Sequence, residues 1–461
     1  MSSHTVDNPY TGDVAVTLEQ TTPAQLDAVL QKARQATRAL RGMSVDDRVK
    51  LVLAACEAME KRTDEIARDI SRQMGKPLSQ AKGEVGGMAG RLRHMASIAK
   101  DALADTVLPP KEDFERRIAR EPLGVVLDLP AWNYPLLTAV NAVAPAVLAG
   151  NAVVLKHSPR TPLCAEHFAR AFAEAGAPEG CVQAIFLDYA RTEALVADPR
   201  IDQVVFTGSV LGGHKIQAAA KDRFMHLGLE LGGNDPAYVA EDADFDKAVE
   251  NIVDGAMYNA GQSCCAVERV YVHQAHYDRF VDAVLPLVRA YVLGNPEDDK
   301  TSMGPIAQPW HPKELTAFVE DAKAKGAKLL HGGRAMAVEG KGRFFEPAVL
   351  RDVSPDARLM NEESFGPILP IAKVASDEEA LARMNASQFG LTASIWTSDR
   401  DRADRLARAL EAGTVYMNRC DALDPALPWS GVKSSGRGVS LSMLGFEGLT
   451  RPKALHYRLR F

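Results

Sequence analysis

Residues 124–157 read GVVLDLPAWNYPLLTAVNAVAPAVLAGNAVVLKH, and two readings of this stretch lead to different folds. From Leu129 to Leu155 it runs 27 positions without a charge, longer than the roughly 20 residues that cross a bilayer. Against a membrane span stand Pro130, Pro135, Pro145 and Gly150, with Asn133, Asn141 and Asn151 spread among them. Both ends, GVVLDL and NAVVLKH, read as strands, and the stretch between them as a helix. A buried strand, helix and strand produce the same run in a parallel α/β protein, and that βαβ unit is the expectation.

Further strands follow at about Gln183–Leu187, Gln203–Thr207 and His226–Leu231, with helical segments such as Ala165–Ala175 between them. Strands alternating with helices imply a doubly wound parallel sheet with ligands beyond its carboxyl ends. A second series runs from Arg269 to Met417, with strands in RVYVH, GPILPIAKV, ASIWT and GTVYMN. The fold class is therefore α/β, with two doubly wound parallel-sheet domains. The first hundred residues read as helical. Thr22-Pro23 with Gln25 makes a capping box, apolar Leu26, Val29, Leu30 and Ala33 form one stripe, and helices are expected near Val45–Gly75 and Ser79–Ala104. PPKEDFERRIARE, from Pro109 to Glu121, is too polar for a core strand and reads as a protruding arm. The tail RPKALHYRLRF alternates enough to be a strand that pairs with that arm or with another subunit.

The 461 residues are 46% apolar and 25% charged, enough for a large core, and 54 basic against 60 acidic residues give a net charge of −6. That balance offers nothing to nucleic acid or an anionic membrane, so a small molecule is the expected partner. Six cysteines without a CxxC pair argue against disulfides and structural zinc, and no metal site is expected. MSSHTVDNPYTGD lacks an export signal, so a cytoplasmic location is expected.

Five segments can carry chemistry. NAGQSCC places Gly261 near Cys264 and Cys265. A sharp loop there would expose a thiol whose thiolate is a strong nucleophile, although an arbitrary intracellular cysteine is more often a small buried apolar residue. LELGGNDP sets Glu230 at an apolar strand end, where burial would raise its pKa toward that of a general base; a solvated strand-end charge is the plainer alternative. In PAWNYP, Asn133 follows Trp132 in a Pro-bounded turn that can fix an amide N–H for an oxyanion or for its own loop. VVFTGSVLGGHKI runs from a strand through Gly208-Ser209 to Gly213 at a helix start, a place for phosphate, yet no GxGxxG fingerprint is present. Lys156 ends a strand of the same sheet. NEESFGP sets Glu363 two residues before Phe365, so both can point one way, toward a hydroxyl pair and a planar ring.

The order PAWNYP, KHSPRTP, FTGSVLGG, ELGGNDP, GQSC, EESFGP, PWSGVKSSGRG resembles the aldehyde dehydrogenase superfamily over almost the whole chain, closest in texture to its succinate-semialdehyde dehydrogenases. The spacings of 34 positions from Glu230 to Cys264 and 23 from Asn133 to Lys156 match the family pattern. The resemblance implies Cys264 as nucleophile, Glu230 as general base and Asn133 as oxyanion donor. Cofactor contacts would come from Lys156 and Glu363 on the two riboses, Gly208, Ser209 and Gly213 at the pyrophosphate, and Trp132 and Phe365 near the nicotinamide of NADP or NAD. It also implies an NAD(P)-binding domain at 1–104 and 122–232, a catalytic domain at 233–432, and a small β oligomerisation arm at 105–121 and 448–461 that builds a homodimer or homotetramer.

Ala131, Ser430 and Gly438-Val439 depart from the family's usual residues. So does Pro159, where NAD-selective members carry a glutamate; with Lys156, His157 and Arg160 nearby, acceptance of NADP+ is expected. The expected reaction takes an aliphatic aldehyde or semialdehyde to its acid through a thiohemiacetal and a thioester, with Arg419 a candidate for holding a substrate carboxylate. Alternatives are a CoA-acylating aldehyde dehydrogenase, disfavoured by Glu230, and a cysteine hydrolase or acyltransferase, for which none of the eleven histidines lies in a partner motif.

Overall fold

In a computed structural model, which describes residues 3–460, the 124–157 stretch is the expected βαβ unit. Strand Val125–Leu129 and strand Ala152–Leu155 pair in parallel, joined through the helix Pro135–Ala149. Nearly every residue of that helix is buried, which explains a charge-free run inside a packed α/β fold. Among the described residues no helix is long and apolar enough to cross a membrane.

Two large sheets organise the chain. The six-stranded sheet has the order Gly436–Arg437, His226–Glu230, Gln203–Thr207, Val125–Leu129, Ala152–Leu155, Val182–Ala184, parallel except for its first short strand. From Val125–Leu129 the chain winds outward through Ala152–Leu155 and Val182–Ala184, then returns to the other side at Gln203–Thr207. The crevice at that switch lies where the loops carrying Trp132-Asn133 and Gly208-Ser209 leave the sheet, the place where doubly wound sheets bind ligands. The seven-stranded sheet runs Lys328–His331, Ala348–Arg351, Ile368–Val374, Val267–His273, Asp235–Val239, Thr392–Trp396, Thr414–Met417, with only Lys328–His331 antiparallel. Each sheet is closed over by its own helices in a separate apolar core.

The amino-terminal region departs from the helical expectation. A hairpin of Ser3–Asp7 and Val14–Glu19 precedes the first helix, with only Val6 of its side chains fully packed. The Thr22–Gln25 capping box is present and starts Pro23–Gly42. The segment expected as one helix near Val45–Gly75 is two, Val45–Glu60 and Thr63–Met74, and the long helix after it is Leu78–Ala102. The strand expected at Gln183–Leu187 is shorter, Val182–Ala184.

The polar 109–121 stretch holds most of the strand Phe114–Pro122, which pairs along its whole length with the carboxyl-terminal strand Thr450–Arg458 and at its other edge with Thr106–Val107. Met1, Ser2 and Phe461, at the outer ends of the segments expected to form the first domain and the arm, lie outside the described residues.

Candidate active site

The loop bearing the two cysteines is held in an uncommon conformation. Asn259, Ala260 and Gly261 have φ of 54°, 56° and 68° in succession, a left-handed turn that costs an alanine about 1 kcal/mol or more. Gly261 is obligatory, since a Cβ there would stand 2.2 Å from the Gly366 carbonyl oxygen. The turn is pinned from several sides. Asn259 Nδ2 donates to the carbonyls of Asn133 (3.2 Å) and Gln262 (3.1 Å), Asn133 Nδ2 donates to Gln262 O at 3.2 Å, and Gln262 Oε1 accepts from Ala307 N at 2.9 Å. Asn133 thus bonds to the cysteine loop rather than to its own.

The two thiols then part. Cys264 is half-exposed and Cys265 buried. Cys265 Sγ donates to Asp421 Oδ1 at 2.9 Å, beside Ser263 Oγ at 3.3 Å. The contact with Cys264, burial and the Asp421 charge together push the Cys265 thiol well up, so it stays protonated. Burial likewise lifts Asp421 to about 7.

Glu230 ends its strand in a polar cluster. Ser440 donates to Oε1, Thr207 Oγ1 donates to Oε2 at 3.1 Å, and Leu231 N donates to Ser435 O at 3.0 Å. Burial raises the Glu230 carboxyl, while Ser440, Thr207, Arg91 and Asn141 pull it back. Arg91 reaches in from the Leu78–Ala102 helix and donates through Nη1 to Leu137 O and Asn141 Oδ1, both at 3.1 Å. Asp128 is 1% exposed, neither carboxyl oxygen has a hydrogen-bond partner among the described residues, and burial with the Glu230 charge raises its carboxyl. After Glu230 the chain makes two close approaches that only glycine permits: a Cβ on Gly232 would meet the Glu363 carboxylate, and one on Gly233 would stand 2.4 Å from the Cys264 carbonyl oxygen. The turn after Glu230 and the cysteine loop are therefore in backbone contact.

The expected cofactor positions Trp132, Lys156 and Gly208-Ser209 follow the carboxyl ends of strands in the six-stranded sheet, and Glu363 and Phe365 contact Gly233 and Trp132. Ser209 caps the helix Val210–Ala219 by accepting from Gly212 N at 3.1 Å, so the helix opens earlier than at the expected Gly213. Cβ atoms on Gly208 and Gly212 would each come within 2.6 Å of the Phe206 ring, and one on Gly213 would strike Leu231. Lys156 is buried and makes no ion pair among the described residues, its ammonium 5.7 Å from the Tyr189 ring centroid, and burial lowers it to about 8. Glu363 Oε1 accepts from Gly233 N at 2.9 Å, and burial with the Glu268 charge raises Glu363. Phe365, at φ 54°, sets its ring edge-on to Trp132 at 5.5 Å.

Sequence reading misplaced two residues. His157 is buried with Nε2 against Pro135 O, and burial lowers it to about 4, so it stays neutral; Arg160 is buried on Asp7. Neither offers charge to a nucleotide. Arg419, the candidate for a substrate carboxylate, is solvent-exposed. It also missed the second layer of support. Glu268 accepts from Ser364 N (2.9 Å), Phe365 N (2.7 Å) and Asn234 Nδ2 (3.0 Å), bracketing the EESFGP turn to the ELGGNDP turn. Glu84, paired with buried Lys76, accepts Leu136 N at 2.8 Å and so fixes the start of the helix after Asn133. Both are acidic residues beside apolar neighbours, a signal in principle readable as buried charge.

A family profile described as "Aldehyde dehydrogenase family" matches residues 2–455. An aldehyde dehydrogenase of Paenarthrobacter nicotinovorans is 38% identical over 458 residues, 99% of each chain, and an NADP(+) succinate-semialdehyde dehydrogenase of Deinococcus radiodurans is 37% identical over 97% of this chain and 93% of the relative. Solved structures agree. That of Gox0499, studied for cofactor and substrate selection, gives a TM-score of 0.95 at 34% identity with 99% of each chain covered. Betaine aldehyde dehydrogenase of Staphylococcus aureus in complex with NAD+ gives 0.94 at 30% identity, covering 99% of this chain and 92% of that one.

Proposed function

The chain belongs to the aldehyde dehydrogenase family, and on that premise we infer that it oxidises an aliphatic aldehyde or semialdehyde to the carboxylic acid through a covalent intermediate on Cys264. The observation that carries this reading is the parting of the two thiols: the left-handed turn leaves Cys264 half-exposed while Asp421 retains Cys265.

Cys264 as thiolate adds to the aldehyde carbon. The second hydrogen of the Asn133 amide and the Cys264 backbone N–H are the donors for the thiohemiacetal oxyanion. A bound NAD(P)+ would supply the acceptor for the hydride of that carbon, whose loss leaves Cys264 acylated as a thioester. Glu230 takes a proton from water, the hydroxide attacks the thioester, and the acid departs as the thiolate re-forms. The crevice fits the dinucleotide. Gly208 and Ser209 lead into the helix start at Val210, a place for the pyrophosphate, with Gly213 packed on Leu231 further into the helix. Lys156 and Glu363 face it as a cation and a carboxyl suited to ribose hydroxyls, and the Trp132–Phe365 pair is an aromatic wall for the nicotinamide. The six cysteines, all unpaired, suit a reducing cytoplasm.

The test is single-residue. Cys264→Ala should abolish NAD(P)H formation at 340 nm with any aldehyde, whereas Cys265→Ala retains most of it. Full activity in Cys264→Ala would remove the mechanism. Formation of an acyl-CoA in preference to the free acid would favour the CoA-acylating reaction instead.

A further inference from the structure

We propose that Arg91 is the residue that selects the substrate, by binding a carboxylate carried on the aldehyde, so that the preferred substrates are short ω-oxo acids. This rests on the aldehyde oxidation inferred above and names the substrate class of the same site.

Among the buried arginines described, Arg91 leaves the largest part of its fork without an acceptor. Arg48 and Arg269 spend their N–H groups on backbone carbonyls, and Arg160 and Arg343 share Asp7. Arg91 uses only Nη1, on Leu137 O and Asn141 Oδ1. Its Nε and Nη2 meet no protein acceptor, and it makes no ion pair among the described residues. The charges that act on it most are Glu230, Cys265, Glu84 and Cys264, two of which are the proposed reacting groups. A half-buried guanidinium with a free edge, bonded to the Asn141 that also acts on Glu230, is a planar fork matched to a carboxylate.

The surrounding helix leaves room for such a substrate. Gly83, Gly87 and Arg91 lie in one row of the Leu78–Ala102 helix, with Gly86 and Gly90 beside it. A helical side chain leans back over the preceding turn, so Arg91 lies over Gly87, whose Cβ position is 3.3 Å from Leu137. Cβ atoms on Gly83, Gly86 or Gly90 would meet nothing within 4 Å. Four glycines in a helix interior give up several kcal/mol of propensity, at roughly 1 kcal/mol each, and keep this face bare. A substrate carboxylate here would sit beside Glu230; without a cation the two negative charges would repel, and Arg91 compensates them.

The experiment compares 4-oxobutanoate with butanal in the wild type, Arg91→Leu and Arg91→Lys, reading kcat and KM separately, with thermal melting as the check on folding. The loss of kcat/KM in Arg91→Leu should be on the order of 30-fold or more greater for the oxo acid than for butanal, chiefly in KM, with partial recovery in Arg91→Lys. Equal losses for both substrates would overturn the proposal, leaving Arg91 as a support for Asn141 and Glu230. Succinate binding to Cys264→Ser by calorimetry reads the same contact without turnover: it should disappear on adding Arg91→Leu, and its persistence would also overturn the assignment. Binding that depends on Arg91 in a protein that oxidises neither aldehyde would support Arg91 and sink the aldehyde oxidation instead.

Discussion

Glu230 works as a base only when ionised, and burial raises its carboxyl while Ser440 and Thr207 hold the charged form in place. Turnover limited by thioester hydrolysis should therefore fall as pH drops through the raised Glu230 value. Ser440→Ala removes a hydrogen bond that favours the carboxylate, so the acid limb of the kcat profile should move to higher pH; an unmoved limb would assign that limb to another group. Glu230→Gln should still form the thioester, giving about one NAD(P)H per active site in rapid mixing and then a slow steady state. Turnover at the parental rate would hand water activation to another residue. Pro159 supplies no carboxylate to repel a 2′-phosphate, and with His157 and Arg160 buried on other partners, Lys156 is the one cation left to that neighbourhood. NADP+ should be accepted at least comparably to NAD+, and Pro159→Glu should shift the kcat/KM ratio toward NAD+. A wild-type preference for NAD+ above about 100-fold, roughly 2.7 kcal/mol, would defeat this reasoning.

The cysteine loop shows which elements local sequence can announce. Gly261 beside the thiol signals a sharp turn, and its Cβ clash with Gly366 O bears that out; nothing in Asn259-Ala260 announces two further left-handed residues, because tertiary hydrogen bonds rather than propensity hold them. Gly261→Ala should cost several kcal/mol or displace the loop, read as a lower Tm together with a smaller burst of NAD(P)H per chain; a normal burst and Tm would mean the loop tolerates the shift. The parallel strands were legible because burial on both faces makes them continuous apolar runs between turn residues. The hairpin at Ser3–Asp7 and Val14–Glu19 was not, since its strands are short, largely exposed and mixed in polarity. The break between Glu60 and Thr63 also escaped, as neither Gly nor Pro marks it and the apolar spacing continues across it. At the site, residues named for their own motif were readable, whereas Glu268, Glu84, Asp421 and Arg91 act through partners tens to hundreds of positions away.

At the scale of the whole molecule, the three-stranded sheet of Thr106–Val107, Phe114–Pro122 and Thr450–Arg458 is the feature one chain leaves incomplete. The strand Thr450–Arg458 stands at the edge of that sheet, and a long edge strand invites pairing with a second copy. Apolar side chains on and beside this sheet are in solvent: Val107 is 76% exposed, Leu459 62% and Tyr457 44%. An apolar, exposed edge of this kind suits a contact with a second copy of the chain. The chain should therefore run as a dimer or a dimer of dimers, and removal of residues 454–461 should take away most of the edge strand and its exposed apolar side chains. Light scattering at micromolar concentration is the measurement. The full chain should show two or four times the monomer mass and the truncated chain a large monomer fraction, because the pairing of Phe114–Pro122 with Thr450–Arg458 that shapes the surface would be lost along with it. A full chain that scatters as a monomer, or a truncated one that assembles as before, would place the contact elsewhere on the molecule.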